Sequence, residues 1–106
     1  MSGHQPPVRV LVIQSWTVDA QPIECALRDS GIDASIVRAD FEALLNAALA
    51  HERFDVVIFD PATPDLSRET VEHCLRLNSR EAPLVVLGEL AALGDDVHRL
   101  LAPRRN

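Results

Sequence analysis

The residue best placed for chemistry is Asp60. It closes the apolar run Phe54 to Phe59, which has Val56-Val57-Ile58 at its centre, and Pro64 follows four residues later. A carboxylate at the end of such a strand is either a polar group in a binding crevice or a strand-end acid that caps a neighbouring loop N–H. Two further runs of strand character end on residues without charge. Val8 to Ile13 leads into Gln14, Ser15 and Trp16, and Leu84 to Leu87 leads into Gly88. If these strands lie parallel, Gln14, Ser15, Trp16, Asp60 and Gly88 share one crevice at their carboxyl ends, and Trp16 could anchor a ligand or a protein partner at its mouth.

Other sources of chemistry are weak. His4, His51, His73 and His98 show no i, i+4 pairing and no Cys or Asp at ligand spacing, so neither a metal site nor a cofactor is expected. Cys25 and Cys74 stand far apart, each inside a helical pattern, and read as core or half-buried thiols. There is no G-x-S-x-G elbow and no glycine-rich phosphate loop, so no catalytic set is expected and the chain is not read as an enzyme.

The elements that position these residues alternate. Val8 to Ile13 is a short β-branched strand with the continuity of one buried on both faces. Asp19 is the expected N-cap of a helix with Pro22 in its first turn and Ile23, Ala26 and Leu27 inward, ending at Ser30-Gly31. Ala34 to Ala39 is more polar, as suits an edge strand. Asp40 then caps a helix whose stripe is Phe41, Leu44, Leu45, Ala48 and Leu49. Phe54 to Phe59 is the third strand, followed by a helix with Val71, Cys74 and Leu75 inward. Pro83 introduces a fourth strand, Leu84 to Leu87. From Glu89 to Leu101, apolar residues recur at helical spacing across the interruption Gly94-Asp95-Asp96; one helix, or a short helix plus a strand, both fit. The pattern is that of a parallel sheet covered on both faces by helices.

Size and charge set outer limits. At 106 residues there is room for one core. The expected organisation is a polar tail at 1–7, a domain at 8–102, and a tail or linker start at 103–106. Sixteen acids against ten basic residues, every one an arginine, give a net charge of -6, which disfavours nucleic-acid binding. No apolar run is long enough to span a bilayer, and the opening residues carry no signal pattern, so no membrane role and a cytoplasmic location are expected.

Three stretches resemble the receiver domain of bacterial response regulators: Val10 to Ile13 with the segment from Gln14 to Gly31, Phe54 to Asp60 with Pro64, and Ala82 to Leu87. The resemblance implies a flavodoxin-like three-layer α/β/α fold with parallel strands in the order 2-1-3-4, the fifth strand and fifth helix being short or missing. It also implies that Asp60 stands at the phosphoacceptor position. Receivers bring a phosphoryl group to that carboxylate with Mg²⁺ on an acidic pair after the first strand, a hydroxyl after the fourth and a lysine after the fifth. Here the acidic pair falls on Gln14 and Ser15, the hydroxyl on Gly88 and the Lys-Pro on Ala102-Pro103, and the chain contains no lysine. Arg68 stands where a small residue is usual.

The resemblance therefore implies a degenerate receiver in two-component signal transduction. It would act without phosphorylation, through protein contacts or dimerisation, as the N-terminal regulatory module ahead of C-terminal output domains. The alternative is an active receiver phosphorylated on Asp60 by a histidine kinase. In the degenerate receiver, Trp16 would be either a partner or ligand anchor or a lid over the vacated metal pocket. Val86, Leu93, Val97, Leu100 and Leu101 are expected to line an apolar surface left uncovered by the shortened C-terminal part, buried by two-fold pairing with another copy.

Overall fold

The computed structural model describes residues 7–101, so the tails at 1–6 and 102–106, with His4 and Ala102-Pro103, lie outside the described residues. Four strands, β1 (Val8–Ile13), β2 (Ala34–Ala39), β3 (Val56–Phe59) and β4 (Leu84–Val86), alternate with four helices, α1 (Gln21–Asp29), α2 (Glu42–His51), α3 (Arg68–Leu77) and α4 (Leu90–Leu101). The strands are parallel in the order β2-β1-β3-β4. β1 and β3 run through the middle, and the last four residues of β1 and all of β3 are buried, which accounts for their continuous apolar sequence.

Strand alternation divides the core into two layers. Leu11, Ile13, Val57 and Phe59 face α2 and α3 and pack with Leu45, Leu49, Val71 and Cys74. Val10, Val12, Val56, Ile58 and Val85 face α1 and α4 and pack with Ile23, Leu27, Leu93 and Val97.

The position of α4 corrects one sequence expectation. A right-handed crossover from β4 to a strand beyond it would carry its helix on the same face as α3. Instead, the chain passes through Leu87–Glu89 to the opposite face and α4 packs beside α1. Leu93 and Val97 are therefore core residues, 1% and 0% exposed, and Leu100 and Leu101 pack partly buried against the same cluster. Of the expected interface, Val86 stays exposed, at 39%, on the edge strand β4; Leu90, four residues on, is exposed as well.

Two helix starts also differ. Ala20 is the α1 N-cap and makes no side-chain cap, while Asp19 Oδ1 accepts from Gln21 N at 2.9 Å just outside the helix. α2 starts at Glu42 with Phe41 as an extended N-cap, so Asp40 precedes the cap. That start leaves Phe41 and Leu44 exposed and confines the buried stripe to Leu45 and Leu49, with Ala48 partly covered. α4 runs unbroken through Gly94-Asp95-Asp96, and the single-helix option holds.

Candidate functional site

The strand ladders deliver the expected crevice. Gln14 N donates to Ala39 O at 3.2 Å, Asp60 N to Ile13 O at 2.9 Å and Leu87 N to Phe59 O at 2.7 Å, so the chain holds its register past the strand ends. Ile13 pairs with Ala39 on one side and Phe59 on the other. One step further, that register sets Gln14 between Asp40 and Asp60.

Asp60 is half-buried and both its carboxylate oxygens are engaged. Oδ2 accepts from Gln14 Nε2 at 3.1 Å, and Oδ1 accepts from Ala62 N at 2.9 Å. The loop behind it is fixed by Thr63, whose buried hydroxyl donates to Asp60 O at 2.7 Å with Ile13 O at 3.2 Å. The second of these partners ties the β3–α3 turn to the end of β1.

The residue that sequence reasoning missed is Arg38. On β2 it shares a face with Ala34 and Ile36 and pairs with Val12, so alternation points it toward the side where the β1–α1 loop leaves the sheet. Its Nη2 donates to Ser15 O at 2.5 Å and Val18 O at 2.7 Å, with Gln14 Oε1 at a longer 3.5 Å. The guanidinium carbon lies 4.9 Å from the centre of the Trp16 ring, within cation–π range. A charged residue on the inward row of a strand beside a loop was the available signal; it reads in sequence as ordinary edge-strand polarity.

Trp16 is 56% exposed, and the group lying against Gln14 and Ser15 is the Arg38 guanidinium. A lid role for the indole is thereby corrected: the ring stands outside, stacked on the cation. Gly88 is exposed, and a Cβ built there meets nothing within 4 Å, so the missing hydroxyl is not excluded by space.

The residues present do not fit a divalent metal. A hard cation requires converging oxygen acceptors. Gln14, 4% exposed, turns its NH₂ toward Asp60 and its carbonyl toward Arg38, and the Ser15 carbonyl is already taken by the guanidinium. Two buried atoms at this corner, Arg38 Nε and Asp40 Oδ1, have no partner among the described residues, and one of them is a donor. No group of three or more His, Cys, Asp or Glu able to hold a metal occurs among the described residues.

Two open clefts lie away from this crevice. One, beside α1 and β2, is lined by Glu24, Arg28 and Asp33; the other, at the opposite end of the sheet, is lined by Arg53, Asp55 and Arg80. Neither touches Asp60, and the ladder-built crevice is the better candidate.

A solved structure decides the fold. The receiver domain of the sensor histidine kinase PA1611 from Pseudomonas aeruginosa, crystallised with magnesium in its active-site cleft, superposes with a TM-score of 0.73 at 16% identity, covering 92% of this chain and 99% of that one. The chain has the fold of a receiver domain. A curated relative, the "Probable transcriptional regulatory protein TcrX" of Mycobacterium tuberculosis, is 33% identical over 96 residues. That match takes in 91% of this chain, which spans about 40% of the relative's length. No family model matches.

Proposed function

We propose that this receiver-fold domain serves two-component signalling through protein contacts, without accepting a phosphoryl group. The observation that carries the reading is the neighbour of Asp60 in the crevice: Oδ2 accepts from the Gln14 amide, a neutral donor standing where phosphoryl transfer needs a metal held by acids. The longer relative, a transcriptional regulatory protein by name, supports a regulatory module joined to an output domain. No helix among the described residues is long and apolar enough to cross a membrane; a cytoplasmic setting is part of the proposal.

Partner contact would fall on apolar side chains left exposed, Trp16 and Phe41 at the crevice end, Val86 on β4 and Leu90 at the start of α4. With Leu93 and Val97 in the core, pairing with a second copy would have to use side chains that stay exposed, Val86 and Leu90 among them.

The test is incubation with acetyl phosphate or phosphoramidate and Mg²⁺, read by intact mass. The expected result is no added phosphoryl group. A gain of one that disappears in Asp60→Asn would establish the opposite reading, an active receiver, which the strand-end placement of Asp60 favours.

A further inference from the structure

We propose that Arg38 is a resident cation that latches the crevice, fixing the β1–α1 loop in one state without any bound ligand. Receiver-type crevices carry inward-facing oxygens that require positive charge. Here that charge comes from within the chain. Arg38 Nη2 bonds Ser15 O and Val18 O, the two ends of the turn closed by Val18 N donating to Ser15 O at 3.0 Å. One guanidinium thus bridges the turn across its opening.

The same group reaches the carboxylate through an intermediary. Gln14 presents its carbonyl to Arg38 and its NH₂ to Asp60, so the amide dipole runs from cation to anion and is favoured by both. Reversing the amide would set like against like at each end. The Trp16 ring lies against the guanidinium and adds a cation–π contact to these bonds. A lysine could still donate from its one nitrogen to both carbonyls, but its ammonium lacks the planar face that stacks on indole.

The latch concerns the same crevice as the proposed function but does not require Asp60 to be inert. Its test uses no phosphodonor. In the wild-type chain, side-chain ¹⁵N NMR should show slowed rotation of the Arg38 guanidinium relative to the exposed Arg99; rotation as fast as that of Arg99 would overturn the latch. In Arg38→Met, which keeps the apolar stem, hydrogen exchange at Thr17 and Val18 should quicken by about tenfold or more, the effect of losing charge-assisted bonds worth roughly 1.4 kcal/mol. Exchange in the core of β3 should stay unchanged. The emission of Trp16, the single tryptophan, should shift as the ring loses its cation, and Arg38→Lys should not restore it.

Unchanged exchange at Val18 in a folded Arg38→Met, or full restoration of the Trp16 emission by lysine, would sink the proposal. If Arg38→Met does not fold, the wild-type NMR measurement decides alone. Phosphoryl transfer to Asp60 with a slow guanidinium would remove the proposed function and leave the latch. A fast guanidinium with no phosphoryl transfer would do the reverse.

Discussion

Gly94 faces Ser30 so closely that a Cβ on Gly94 would lie 1.7 Å from Ser30 Oγ and 2.5 Å from Ser30 Cβ. Glycine here serves contact between α4 and the end of α1, and His98 seals it one turn later with its Nε2 2.6 Å from Ser30 O. A change of Ser30 rotamer could move Oγ but not Cβ, so a methyl at 94 must push the helices apart.

Gly94→Ala should therefore destabilise by about 1 to 3 kcal/mol from overpacking, against the gain of roughly 1 kcal/mol that alanine gives an unencumbered helix. Ser30→Gly in the same chain should recover most of the loss. Chemical denaturation of the two single variants and the double checks this; equal losses with and without Ser30 would show that the helices do not meet there.

Val97→Glu places a charge among Val10, Val56 and Leu93, so the outcome should be loss of the cooperative fold rather than release of a dimer. Circular dichroism read beside light scattering separates the two. Leu45→Ala on the other face should cost about 2 to 5 kcal/mol, since Leu45 is fully buried. A loss below about 1 kcal/mol would mean that α2 does not pack as described.

These cases show what was legible in the residues. The central strands could be read because burial on both faces demands continuous β-branched runs, and Asp60 and Gln14 followed as their next residues. The helix starts were less legible. Asp40 has the chemistry of a cap, but its Oδ1 is buried without a partner among the described residues, and α2 begins beyond Phe41. Gly94 looked like an interruption because glycine weakens an isolated helix, whereas its purpose here is close approach to a partner distant in sequence. Arg38 was illegible for a stronger reason: its partners are the backbone carbonyls of Ser15 and Val18, which every sequence possesses.

The two thiols should differ in reactivity. Burial pushes the Cys74 thiol above its ordinary range, with the Glu42 carboxylate adding to the shift and a hydrogen bond with Asn46 opposing it. Cys25 is only half-buried. A thiol reagent at neutral pH should label Cys25 first and Cys74 only on unfolding. For stability, a raised thiol value means that the folded state holds its proton more tightly than the unfolded chain does. The contribution is complete below the unfolded value of about 8.5 and declines as pH rises above it. Melting curves of wild type and Cys74→Ala should therefore converge on moving from neutral to alkaline pH. Parallel curves would show that Cys74 is not the group responsible.

Magnesium affords the sharpest test of how the crevice is composed. The wild-type chain should show no saturable change in Trp16 emission at millimolar Mg²⁺; a saturable quench abolished by Asp60→Ala would contradict the present account of the site. Restoring acids alone, in Gln14→Asp with Ser15→Asp, should not suffice. The new carboxylates would sit beside the Arg38 guanidinium and pair with it, and the Ser15 carbonyl would remain its acceptor. Adding Arg38→Met removes the competing cation and frees that oxygen, leaving three carboxylates with Asp60 to face a hard cation that keeps several waters. Only the triple variant should bind Mg²⁺ saturably. Isothermal calorimetry of the double and triple variants, with Asp60→Ala as the control, reads this directly. Equal binding by both would show that the guanidinium does not compete with metal, and the exclusion of Mg²⁺ from the native crevice would then rest on Gln14 and Ser15 alone.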